Sequence, residues 1–152
     1  MMALIYIGVD DTDEGDSPGT GRVARGLARH LEMLNLGVSQ GVTRHQLLVA
    51  PSIPYTSHNS ALCIGLESAA APGTVTDGCC EYLRACAVEG ADPGLCVAVQ
   101  EEVTPEARQL GERAMVSVLT VEEAEKIAAR SGVALISIAG SPQGVIGALA
   151  AV

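Results

Sequence analysis

The chain is 152 residues long and 48% hydrophobic, yet it has only three Tyr, no Phe and no Trp. A chain of this length buries roughly 70% of the surface its unfolded state exposes, so it can build a self-sufficient core from small aliphatic side chains. That excludes an intrinsically disordered protein and predicts a single compact domain over residues 1–152. Eighteen acidic against nine basic side chains give a formal charge of −9. That charge repels phosphodiester backbones, and the scarcity of aromatics removes platforms on which bases stack, so both disfavour a stand-alone nucleic-acid binder.

The first strand is predicted over Ala3 to Val9, an aliphatic run without polar interruption, the pattern of a buried strand. Ahead of it, Met1-Met2 carries no basic n-region, and no apolar run approaches the ~20 residues that span a bilayer, so we expect a cytoplasmic protein with no membrane partner. Beyond the loop from Asp10 to Gly19, apolar Val23, Leu27, Leu31 and Leu34 recur at helical spacing, while Arg22, Arg25, Arg29 and His30 take other faces. This predicts an amphipathic helix that closes near Asn35 to Gly37. Strands are expected within Val38 to Ala50 and over Ala61 to Leu66, separated by a loop containing Pro51 and Pro54. A helix covers much of Val75 to Val88, and a strand follows Asp92-Pro93-Gly94 over Leu95 to Val99. Thr104-Pro105 and the capping box Thr120-Val121-Glu122-Glu123 start two short helices. Val133 to Ile138 is the last strand, followed by the turn Gly140-Ser141-Pro142-Gln143-Gly144 and a helix from Val145. The alternation predicts an α/β architecture, a single-layered mixed β-sheet flanked by helices, in which several strand pairs are open to antiparallel pairing.

The five cysteines, Cys63, Cys79, Cys80, Cys86 and Cys96, show no C-x-x-C spacing. We read them as reduced core residues. Lys126, the only lysine, sits on the acidic helix that follows Thr120 and is read as a surface residue.

Four Asp and one Glu fall within the seven residues from Asp10 to Asp16. They follow directly on a buried strand, where α/β sheets place ligands. Carboxylates packed this closely repel one another unless a cation or hydrogen-bond donors compensate, and Mg²⁺ favours hard oxygen ligands that it bridges to phosphates. The bland alternative is a solvated acidic loop that caps the next helix. An EF-hand is excluded, because counting from Asp11 puts Arg22 at the twelfth position. Gly19-Thr20-Gly21-Arg22-Val23-Ala24 fits the dinucleotide fingerprint by letter, but it stands about ten residues past the strand instead of at its end. Asp11-x-Asp13 is similar to the aspartyl-phosphate loop of haloacid-dehalogenase-type phosphatases, an alternative weakened by Gly15 and by the lack of a later acidic pair. The turn at Gly19, Thr20 and Gly21 opens a helix and offers backbone N–H groups to an anion, with Arg22 beside it. Ser141 and Gly144 form a second strand-to-helix turn of that kind. His58 and Asn59 stand in the double-proline loop, after Arg44 and His45.

Three stretches, taken in order, resemble one family. Ile7-Gly8-Val9-Asp10-Asp11-Thr12-Asp13, then Pro51-Ser52-Ile53-Pro54-Tyr55-Thr56-Ser57-His58-Asn59, then Gly144-Val145-Ile146-Gly147-Ala148-Leu149-Ala150-Ala151-Val152 are similar to the N-terminal kinase-like domain of archaeal tRNA(Ile) agmatidine synthetases. Asp92-Pro93-Gly94 fits that family's Asn-Pro-Gly segment. The resemblance implies a domain that binds ATP and Mg²⁺ and activates a tRNA cytidine by phosphorylation. It further implies that Asp10, Asp11 and Asp13 form the metal and catalytic site. Gly19, Thr20, Gly21, Arg22, His58, Asn59, Ser141 and Gly144 would then border the nucleotide. The chain departs from the family where Gly21-Arg22-Val23 stands in place of Cys-Thr-Thr, and it shows no counterpart of the family's further tRNA-binding modules. Together with the charge, this argues against direct tRNA binding by the chain alone and points to a nucleotide or small phosphorylated ligand. The competing expectation is a non-catalytic binding module or subunit that keeps the fold. The apolar end, Ile146 to Val152, is suited to a homodimer contact or a separate partner subunit.

Overall fold

The uninterrupted aliphatic run at the start of the chain forms β1 (Ala3–Asp10), which lies at the centre of a sheet. The structure, a computed structural model, describes residues 2–10, 20–46, 60–86, 94–100, 121–131, 133–138, 148–149 and 152; at 10, 20, 21, 44–46, 60, 61, 86 and 121 it describes the backbone alone. The other strands are β2 (Val38–Gln46), β3 (Ser60–Ser68), β4 (Gly94–Val99) and β5 (Ala134–Ser137), and the sheet order is β2-β3-β1-β4-β5. The helices are α1 (Thr20–Met33), α2 (Pro72–Cys86) and α3 (Val121–Ser131).

The α/β architecture is the one expected, a sheet flanked by helices. Where the alternation of elements left strand direction open, every pairing among the described strands is antiparallel. The reason is topological. α1 joins β1 to β2, which run the same way, but β3 inserts between them; α2 joins β3 to β4, and β1 inserts between those. These are two interlocked split βαβ units, so neither crossover leaves parallel strands adjacent.

Alternation along the strands divides the core into two faces. Ile5, Ile7 and Val9 of β1 point to one face, flanked in register by Leu66, Ile64 and Leu62 on β3 and by Val99, Val97 and Leu95 on β4. Val23, Ala24, Leu27, Ala28 and Leu31 of α1 and Val75, Cys79, Cys80 and Leu83 of α2 cover that face. The ring of Tyr82 on α2 lies 5.1 Å from that of His30 on α1. On the opposite face Cys63 and Cys96 pack with Ala124, Ile127 and Ala128 of α3 and with Ala148 and Leu149.

α1 ends as the Asn35–Gly37 stretch predicts. Asn35 adopts φ 58°, Leu36 N–H donates to Leu31 O at 3.0 Å, and Asn35 N–H donates to Glu32 O at 3.0 Å. This is a Schellman closure with Asn in the left-handed position. It also corrects the predicted apolar stripe: Leu34 lies past the helix end and is 45% exposed. Downstream, Ser68 is buried but satisfied, donating to Leu36 O and accepting from Ala70 N–H at 3.0 Å. Cys63, Cys79, Cys80 and Cys96 are buried free thiols, as the core reading of the cysteines requires. Lys126 is exposed on α3. The helix expected from Thr104 lies outside the described residues.

Candidate functional site at one end of the sheet

The strand registers gather the segments singled out from the sequence at one end of the sheet. β1 stops at Asp10, opposite Gly94 where β4 starts, and Gly94 is opposite Ser137 where β5 stops. Towards the other edge, Val9 is opposite Leu62, and Gln46 at the end of β2 pairs with Ser60 at the start of β3. The segments 11–19, 47–59, 87–93 and 139–147 therefore all attach to strand termini at this same end. The opposite end carries the α1 closure at Asn35 and the Ser68 hydrogen bonds.

Of the predicted site residues, Asp10 is the last residue of β1, and Thr20 and Gly21 provide the first helical positions of α1. Arg22 is exposed in the first turn of that helix, which contains no acidic residue to compete for its guanidinium. Asp11, Asp13, Gly19, His58, Asn59, Ser141 and Gly144 lie outside the described residues. Among the described residues, no group of three or more His, Cys, Asp or Glu is placed to hold a metal ion. Nor do the described strands offer a strand–helix–strand unit whose two parallel strands are adjacent, on which a dinucleotide site is built.

The structure adds a residue that sequence reasoning passed over. Gly8 is buried in the middle of β1, and a Cβ placed there would collide with the Ala148 carbonyl oxygen, lying 2.9 Å from the Ala148 carbonyl carbon and 3.0 Å from Val152 Cγ1. The backbone of the last motif thus lies directly against the first, two residues upstream of Asp10. A glycine inside an otherwise aliphatic strand is the signal that reveals such a close approach.

Cys63 and Cys96 flank Gly8 on the neighbouring strands. Burial pushes the Cys63 thiol up to about 11, and burial, reinforced by Cys63, pushes Cys96 further up. Both remain protonated and unreactive at neutral pH, which makes them packing groups instead of nucleophiles. No helix among the described residues is long and apolar enough to cross a membrane.

No family model matches the chain, and neither does any curated protein. Solved structures do match. The apo form of TiaS, an isoleucine-tRNA agmatidine synthetase, superposes with TM-score 0.82 at 26% identity, over 97% of this chain and 34% of that one. The complex of TiaS with its tRNA and ATP superposes with TM-score 0.84 at 25% identity, over 98% of this chain and 36% of that one. The complex of TiaS with its tRNA, AMPCPP and agmatine gives TM-score 0.81 at 24% identity over the same shares, a likeness of fold. The chain is therefore a TiaS-like domain, similar over nearly its whole length to one part of the agmatidine synthetase and spanning about a third of the synthetase chains it matches.

Proposed function

We propose that this chain binds ATP together with Mg²⁺ at the sheet end where β1 stops and β4 starts, and transfers the phosphoryl group to an acceptor. The observation that carries this reading is the common attachment of the four motif-bearing segments to that end of the sheet. The likeness to a synthetase solved with ATP and its tRNA supports it. Asp10, Asp11 and Asp13 offer the hard carboxylate oxygens that Mg²⁺ prefers. Held there, Mg²⁺ would supply neutralisation of the nucleotide's phosphate charge. Thr20 and Gly21, following Gly19 at the start of α1, present backbone N–H groups at the positive end of the helix dipole, and Arg22 adds a guanidinium. His58, Asn59, Ser141 and Gly144 border the nucleotide. Phosphoryl transfer asks a protein chiefly for positioning and charge neutralisation, which is what such a set supplies.

The chain corresponds to about a third of the synthetase chains it matches, and this reading assigns to it nucleotide binding and phosphoryl transfer, not recognition of tRNA or agmatine. Calorimetric titration of the protein with ATP, with and without MgCl₂, tests the reading. We expect Mg²⁺-dependent binding that falls at least about tenfold in Asp11→Asn and in Asp13→Asn, the scale set by loss of one charge-assisted contact. Absence of binding, or undiminished binding by both variants, would overturn it. Binding without phosphate release in a turnover assay would instead identify a non-catalytic module on the same fold.

A further inference from the structure

We propose that Arg25 and Arg29 of α1, with Ser39 and Gly41 of β2, form a second phosphate-binding pocket, separate from the proposed ATP site, that takes a phosphate ester. A cavity of about 460 Å³ opens between α1 and β2, lined by Arg25, Arg29, Ser39, Gly41, Val42 and Leu62, together with Ala28. That volume falls within the ~300–1,000 Å³ range of small-molecule sites and leaves room for a sugar attached to the phosphate.

The lining has the composition of an anion site. Ala28, Val42 and Leu62 provide an apolar floor, and the two guanidiniums each present donors in a planar fork that matches phosphate oxygens. Ser39 Oγ already accepts from Gly41 N–H at 3.3 Å, which leaves the hydroxyl proton to donate. Gly41 takes φ 129° at the register shift in β2, and nothing lies within 4 Å of a Cβ built there, so this side of the pocket is open.

Electrostatics point the same way. The chain carries −9 overall, yet α1 holds Arg22, Arg25 and Arg29 against the single acid Glu32. Arg25 and Arg29 are exposed, share one helix face at i, i+4, and have no carboxylate partner among the described residues. Like charges in that relation repel, and a bound anion relieves the repulsion. Counting from Arg22 at the proposed ATP site, Arg25 and Arg29 stand about 4.5 and 10.5 Å further along the helix axis. A phosphate held between them therefore lies further along α1 than the helix N-terminus that the ATP reading uses.

The probes are a fluorescein-labelled single-stranded RNA 12-mer followed by anisotropy, and inorganic phosphate and AMP followed by calorimetry. They are applied to the wild type, to Arg25→Gln/Arg29→Gln and to Arg25→Lys/Arg29→Lys. Gln has nearly the helix propensity of Arg, so the fold is retained, and thermal melts verify it. We expect the double Gln variant to lose at least tenfold in affinity for whichever probe binds, while the double Lys variant loses less. Mg²⁺–ATP binding should persist in both, which separates this pocket from the ATP reading. If the RNA is the probe that binds, the salt dependence falls by about 1.4 in the double Gln variant, and the source is a nucleic-acid backbone. If only phosphate or AMP binds, the source is a small phosphate ester. Failure of every probe to bind the wild type, or equal binding by the double Gln variant, overturns the proposal.

Discussion

Replacing Gly8 by Ala tests the contact that joins the start of the chain to its end. The new Cβ would overlap the Ala148 carbonyl oxygen and approach the Ala148 carbonyl carbon to 2.9 Å and Val152 Cγ1 to 3.0 Å. Two of these three atoms belong to the backbone, so a rotamer change cannot relieve the overlap, and the segment at 148–152 must move away from β1. Inserting a methyl into packed surroundings costs about 1–3 kcal/mol, and an immovable backbone partner places this case at about 2–3 kcal/mol. For a domain of this size each kcal/mol is worth roughly 2–4 °C, giving a fall in melting temperature of roughly 4–12 °C. Gly65→Ala is the matched control, because its Cβ meets only Leu4 Cδ1 at 3.7 Å and Gln40 Cβ at 3.8 Å, ordinary contact distances. The control should melt at or slightly above the parent, since alanine removes freedom from the unfolded chain. Scanning calorimetry reads both variants, and ATP titration should weaken in Gly8→Ala alone. A Gly8→Ala protein that melts with the parent and binds ATP as tightly would refute the packing of the last motif on the first.

Two other features yield measurable outcomes. Asn35 occupies the left-handed position of the α1 closure at φ 58°, so Asn35→Ala should cost about 1 kcal/mol in urea denaturation, whereas Asn35→Gly should be neutral or stabilising. Burial raises the thiol of Cys63 to about 11 and that of Cys79 to about 12, from an ordinary value of 9.0. Because the folded-state values are the higher ones, the stability they contribute is complete below pH 9 and is lost as pH rises towards 11 and 12. Under reducing conditions the unfolding free energy should therefore be level from pH 7 to 8 and decline above pH 9 by up to about 1.4 kcal/mol per pH unit for each thiol. Cys79→Ala should make that decline shallower, and an unchanged slope would contradict the assignment.

Much of the fold can be read from local pattern. Ala3 to Val9 announces a strand because no polar residue interrupts it, and Val23, Leu27 and Leu31 announce a helix because burial on one face imposes the 3.6 period. Strand direction is different in kind. Nothing in the alternation along Ser60–Ser68 or Gly94–Val99 encodes which way a neighbour runs, because pairing joins residues such as Ile7, Ile64 and Val97 that are far apart in sequence. Leu34 misleads for a local reason, since it keeps helical spacing although the helix has ended at Met33 and the chain turns at Asn35, the next residue. The candidate site was legible through chemistry and not through periodicity: carboxylates crowded after a strand need a compensating charge, whatever the backbone does. Gly8 was equally visible as the one residue without a side chain in the central strand, but its meaning depends on Ala148, 140 positions away, which local pattern cannot supply. Arg25 and Arg29 read as ordinary solvated positions until β2 is laid alongside α1.

The central claim is that ATP binds at the sheet end where Asp10, Gly94 and Ser137 line up across three strands. At 15.5 kDa the protein suits backbone amide NMR, and titration with ATP and Mg²⁺ locates the ligand residue by residue. We predict saturable shifts at Asp10, Gly21, Arg22, Gly94 and Ser137, with Asn35, Gly37 and Glu67 at the opposite end unmoved. Saturable shifts confined to the Asn35–Glu67 end, or no saturable shifts at either end, would contradict the account.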